Sequence, residues 1–130
     1  GNTSDEIIAA VSSMTGQVDA VFTPTDNVVQ AAELAIAPTL ADAGIPHYAG
    51  ADSFVRNGAF ATCGVNYTDL GSQTADLAVE VLTTGHIPEY VTVAGDIITV
   101  NTETAAALGA DYSKFADMGS QLVEVQTTQD

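Results

Sequence analysis

The hydrophobic period of this chain changes repeatedly along its length, and that alternation constrains the fold more than any other feature. Residues 18–23 form a short apolar run of β-branched and aromatic residues bounded by Gly16 and Pro24, the pattern of a buried strand. From 28 to about 43 the apolar residues Val28, Val29, Ala32, Ile36 and Leu40 recur at helical spacing, and Pro38 marks a point where that helix would kink or split. Residues 45–49 and 60–65 read as further strands, separated by the turn "GADS" and one helical turn at 53–57. Residues 68–84 carry the strongest helical pattern, with Leu70, Thr74, Leu77, Ala78, Val81 and Leu82 on one face and Gly85 as the stop. Upstream, residues 4–14 predict a helix capped by Thr3 or Ser4, with Asp5 and Glu6 at its positive end. Downstream, 90–94 and 97–100 are β-like, 102–108 is a short helix, and 114–118 is a turn. Residues 121–126 alternate like an edge strand, and 127–130 are expected to be loose. Strands alternating with helices imply a mostly parallel sheet with helices on both faces, so the expected fold is α/β, three-layered and doubly wound.

Composition narrows the function. The 130 residues suit one domain, and 46% are hydrophobic, enough for a sizeable core. Two basic residues, Arg56 and Lys114, face 17 acidic ones, for a net charge of -15. Such a surface repels phosphate backbones and anionic lipid, so nucleic-acid and membrane-surface binding are disfavoured. The single cysteine, Cys63, excludes an internal disulfide, and its apolar setting predicts a buried, inert thiol. His47 and His86 have no partnered cysteine, so no metal site is expected, and His47 reads as a partly buried, satisfied histidine. There is no G-x-S-x-G, P-loop or G-x-G-x-x-G motif, and no nucleophile is paired with a base. No residue argues for an enzyme, and no cofactor is expected. No signal peptide, transmembrane stretch or lipidation motif is present; the chain opens on Gly1-Asn2-Thr3-Ser4 without Met, so a longer natural N-terminus is expected.

Candidate chemistry concentrates in three loops. In a parallel sheet every strand-to-helix loop emerges at one edge, outside the carboxyl ends of the strands, where ligands bind. The first loop carries Thr25, Asp26 and Asn27, the second Asp52 and Ser53, the third Asn66 and Tyr67. Together they would form a polar rim of hydroxyls, amides and carboxylates suited to a small polar ligand, with carboxylates such as Asp26 or Asp52 accepting from an ammonium or hydroxyl. The same residue types are preferred helix caps and turn formers, so capping alone accounts for them equally well.

The stretches "VDAVFTPTDNVVQAAE", "AGIPHYAGADSFVRNGAFATCGVNYTDLGSQTADLAVEVLTTGHIPEYVTV" and "IITVNTETAAALGA" together resemble the C-terminal part of ABC-transporter substrate-binding proteins, in the branch associated with tryptophan or tyrosine uptake. The resemblance spans residues 18–110. It implies one lobe of a type I periplasmic-binding fold, in which two α/β lobes close on a solute about a hinge. It further implies a non-enzymatic, extracytoplasmic protein, often a lipoprotein, that delivers solute to the membrane permease of an ABC transporter. The solute implied is an amino acid, with an aromatic one favoured by the branch. By position, Thr25, Asp26 and Asn27 match the first cleft loop, Asp52 and Ser53 the second, and Asn66 and Tyr67 the third. The lobe would occupy residues 1–112, with 97–109 resembling the crossing back to an N-terminal lobe that lies outside this chain; the tail, 113–130, matches nothing in the family. Strand 97–100 has two partners open to it, this lobe's own sheet or a neighbouring molecule, and an unpaired edge would favour a dimer. The alternative function is the effector-sensing lobe of a transcription regulator with the same fold.

Overall fold

The computed structural model describes residues 1–127. Helix α1 (Ser4–Met14) leads into strand β1 (Val21–Thr23), helix α2 (Asn27–Asp42), strand β2 (His47–Ala49), the short helix α3 (Asp52–Arg56) and strand β3 (Ala61–Gly64). Helix α4 (Tyr67–Thr84) follows, then strand β4 (Ile97–Asn101), helix α5 (Thr102–Leu108), a 3-10 helix (Ser113–Asp117) and strand β5 (Gln121–Val125). The five strands form one sheet in the order β1-β2-β3-β4-β5. β1, β2 and β3 are parallel, β4 runs antiparallel to β3, and β5 is parallel to β4. The fold is α/β with a mostly parallel sheet, as the alternation requires.

Local chemistry sets the element ends. Thr3 Oγ1 accepts from the Glu6 amide at 3.3 Å to cap α1. Pro38 lies inside α2 without splitting it: the ring forfeits one backbone bond, but Ile36, Ala37 and Leu40 around it are buried and hold the helix to the sheet. The strands are shorter than their apolar runs. Pairing starts only where β1 meets β2, at Val21 opposite His47, so residues 18–20 stay outside the ladder. Residues 90–94 form no strand; Val91 and Val93 lie along α4 instead, beside Leu70 and Leu77.

Side-chain alternation divides the sheet into two faces. Thr23, His47, Ala49, Thr62, Thr99 and Val123 point to one, which α2 and α3 cover with Ile36, Leu40, Phe54 and Val55. Phe22, Tyr48, Cys63 and Ile98 point to the other, where Phe115 of the 3-10 helix packs against Phe60 with ring centroids 5.8 Å apart. Cover on this second face is partial, so Phe22 and Cys63 are exposed. The expected burial of Cys63 fails for that reason: its run is apolar, but its parity turns it away from α3.

Two further expectations meet the sheet. Ile97–Asn101 is paired on both sides, by β3 and β5, so the free edge that would have favoured a dimer is absent there. The sheet also continues past residue 112, because Gln121–Val125 supplies its fifth strand; residues 128–130 of the expected loose tail lie outside the described residues.

His47, expected to be partly buried and satisfied, is instead fully enclosed within a polar chain, and its Nδ1 has no hydrogen-bond partner among the described residues. Its Nε2 lies 2.8 Å from Thr23 Oγ1 and its Nδ1 3.0 Å from Glu33 Oε1, with Glu33 fully enclosed. The second contact has the distance of a hydrogen bond without its alignment, so it acts as a close electrostatic pairing.

Candidate functional site

The carboxyl ends of β1, β2 and β3 meet at one sheet edge, and the three polar loops leave from it. Loops one and two touch. Gly50 donates to the Thr23 carbonyl at 2.9 Å, and a Cβ at Gly50 would fall 2.8 Å from Thr25 Oγ1 and 2.9 Å from the Thr25 amide nitrogen. Only glycine permits that approach.

The cap residues do hold their helices. Asp26 Oδ1 accepts from the Val28 amide at 2.8 Å and the Val29 amide at 3.0 Å, opening α2. Asn66 Oδ1 does the same for α4, with Thr68 at 2.9 Å and Asp69 at 3.2 Å. Each bond pair uses one oxygen. Asp26 Oδ2 and Asn66 Nδ2 keep their capacity, as acceptor and donor respectively, for something outside the chain. Thr25 and Asn27 are exposed on the same loop as Asp26, and Ser53 is half-buried on α3.

Loops two and three frame a cavity of about 450 Å³. Asp52 and Arg56 on α3 form one wall, Asn66 and Tyr67 another, and Thr62 and Thr99 lie at its base. Asp52 and Arg56 are one helical turn apart, and Arg56 Nε donates to Asp52 Oδ2 at 3.3 Å. Thr62 and Thr99 are register partners on β3 and β4. Tyr67 is 62% exposed, leaving an aromatic face at the rim. The structure therefore brings Asp52, Asn66 and Tyr67 together around one cavity, while Thr25, Asp26 and Asn27 stand on the neighbouring loop outside its lining.

Sequence reading missed four contributors. Arg56 was visible as an i, i+4 partner of Asp52. Thr62 and Thr99 become neighbours only through the antiparallel register of β3 and β4, which local sequence does not encode. Gly95 closes the edge: a Cβ there would lie 3.3 Å from the Gly64 carbonyl group, so the chain leaving β3 and the chain entering β4 run side by side.

Among the described residues no group of His, Cys, Asp or Glu is placed to hold a metal ion. Nor is any helix among them long and apolar enough to cross a membrane. The site can offer charged and neutral hydrogen-bond partners and an aromatic surface.

A tyrosine-binding protein of Clostridioides difficile is 34% identical over 120 residues, covering 90% of this chain and 32% of the relative. A substrate-binding protein with adhesive properties from Clostridium difficile, solved in a ligand-free, open form, superposes with a TM-score of 0.75 at 29% identity, covering 97% of this chain and 42% of that one. An ABC domain from Streptococcus pneumoniae in complex with L-Trp superposes with a TM-score of 0.74 at 25% identity, covering 95% of this chain and 43% of that one. The chain thus spans about a third to two fifths of the length of these relatives. Residues 2–114 match the family described as ABC transporter substrate binding protein, and the chain belongs to that family.

Proposed function

We propose that this chain is one lobe of the solute-binding component of an ABC uptake transporter, working outside the cytoplasm and presenting its loop edge to a small polar solute, an amino acid and by preference an aromatic one. The observation that carries the reading is the convergence of the three polar loops at one sheet edge beside a cavity bearing Asp52, Asn66 and Tyr67. Asp26 and Asp52 supply acceptors for an ammonium, Asn66 and Ser53 hydrogen bonds, and Tyr67 an aromatic face for an aromatic side chain.

The same edge supplies the place for a hinge. The stretch from Asn66 to Asp96 leaves the sheet at β3 and returns at β4 through two strands of backbone packed at Gly64 and Gly95. No residue of α4 is buried, and its Leu82 is 85% exposed. An amphipathic helix with no fully buried residue, attached by two adjacent linkers, fits an arm that packs on a second lobe, so that bending at 64–66 and 94–96 closes the cleft. On this reading the opposite wall of the site comes from the remainder of a two-lobed protein, and a membrane permease receives the solute from the closed form.

The test is a thermal-shift panel of amino acids and sugars against the two-lobed protein. Binding stabilises by about 2.7 kcal/mol at a hundredfold excess over Kd, so the correct solute raises the melting temperature by several degrees. L-Tyrosine or L-tryptophan giving the largest shift supports the reading; a sugar giving it, with no response to amino acids, defeats it.

A further inference from the structure

Thr62 presents an anomaly that neither capping nor folding explains. Its side chain is 96% removed from solvent, at 4% exposure, and its Oγ1 has no hydrogen-bond partner among the described residues. It points from the central strand β3 to the face that α3 covers and lies at the base of the cavity bearing Asp52 and Arg56. A buried hydroxyl without a partner is costly, and valine would fill the same volume without that cost.

Arg56 has complementary spare capacity. It is the sole arginine in a chain with 17 acidic residues and only one other basic residue, Lys114. Its bond to Asp52 uses Nε alone, leaving the terminal nitrogens of the guanidinium without a described partner, and half of the side chain is exposed along the cavity wall. A planar fork of donors is suited to a carboxylate. Asp52 beside it holds the guanidinium in place and leaves its second oxygen available.

We propose that Arg56 and Thr62 form the carboxylate receptor of the solute site, with the Arg56 terminal nitrogens and the Thr62 hydroxyl donating to the solute's carboxylate while Asp52 accepts from its ammonium. The proposal rests on the reading of this edge as the solute site and assigns the residues that take the solute's carboxylate. On an otherwise strongly anionic surface, one fixed cation at the cavity is what favours a carboxylate there, so it gives orientation and discrimination as well as affinity.

The experiment is calorimetric titration of the two-lobed protein with L-tyrosine and with tyramine, which lacks the carboxylate, for wild type and three variants. Arg56→Gln weakens L-tyrosine about 10- to 100-fold and leaves tyramine unchanged, erasing the preference between them. Thr62→Val weakens L-tyrosine roughly 10-fold yet melts, without ligand, at the same or a higher temperature than wild type, because it removes an unpaired buried hydroxyl. Lys114→Gln, which alters net charge equally but lies on the 3-10 helix, changes neither titration. Equal losses for L-tyrosine and tyramine in Arg56→Gln would overturn the receptor. So would Thr62→Val with unchanged affinity, or with a lowered melting temperature that accounts for its weaker binding. If wild type bound no amino acid at all, the solute reading of the edge itself would fall, and the receptor with it.

Discussion

Asp26 offers the sharpest separation of folding from binding. Its Oδ1 receives both the Val28 and Val29 amides, at 2.8 and 3.0 Å, and so satisfies two of the four free N–H groups that any helix start presents. The helix it opens is α2, which buries Ala32, Ile36 and Leu40 against the sheet, so a frayed start weakens a main packing element. Asp26→Ala removes the acceptor and the negative charge at the positive helix end. The expected cost is about 1 kcal/mol, from a range of roughly 0.5–2 for loss of such caps. For a domain of this size that corresponds to a melting temperature lower by about 3–5 °C. Asp26→Asn keeps an oxygen in the same position, because asparagine caps as well as aspartate, and loses only the charge; its cost is about 0.3 kcal/mol. Binding sorts differently. If Oδ2 holds a solute's ammonium, the asparagine variant loses affinity about as severely as the alanine variant, since charge rather than shape is what the ammonium requires. Urea denaturation with a parallel ligand titration reads both quantities. An asparagine variant as unstable as the alanine variant would show that Oδ1 does not cap, and an alanine variant as stable as wild type would remove the cap from the account.

Other expectations concern the interior and the loop contacts. Glu33→Ala strands His47 beside a new void and is expected to cost about 3–5 kcal/mol in urea denaturation, whereas Glu33→Met with His47→Leu recovers most of that; a double variant no better than Glu33→Ala would contradict the view that the buried pair is costly to break yet replaceable. Gly50→Ala forces a Cβ against the Thr25 backbone, so it should cost about 1–3 kcal/mol and shift the Thr25 and Asp26 amide resonances, while a silent substitution would mean the two loops are not held in contact. The Tyr112 hydroxyl donates to Glu124 Oε1 at 2.7 Å, and this bond holds the phenol above its ordinary range. A raised folded-state value means a stabilisation fully present below the unfolded phenol value, about 10, and lost as pH rises through the folded one. Tyr112→Phe should therefore lower stability at neutral pH and flatten the alkaline limb of the stability profile, and an unchanged alkaline limb would count against the bond.

Much of this architecture is legible in the sequence because it is built from local signals. Ser4–Met14 and Thr102–Leu108 follow from apolar spacing and caps, and the three edge loops follow from small polar residues between an apolar run and a helical one. What local signals do not carry is partnership across the sheet. The apolar residues of 90–94 look like a strand, yet Val91 and Val93 pack on α4. Cys63 lies in an apolar run, yet strand parity sends it to the thinly covered face. Arg56 and Thr62 share a cavity only because α3 folds over β3, and Thr62 meets Thr99 only through the antiparallel turn of β4. The helix caps Asp26 and Asn66 show why the site was only half readable: each spends one atom on its helix and keeps one free, so the residue type fits both roles.

We propose that the loop edge of this lobe receives an amino acid. Amide resonances of the isotope-labelled chain, followed during titration with L-tyrosine into the millimolar range, test it most directly. Shifts are expected to concentrate at Thr25, Asp26, Asn27, the Gly50 to Ser53 turn, Asn66 and Tyr67, with the exposed far side of α2 around Leu34 unmoved. Shifts confined to the apolar face at Phe22 and Tyr48, or none at saturating solute, would contradict it.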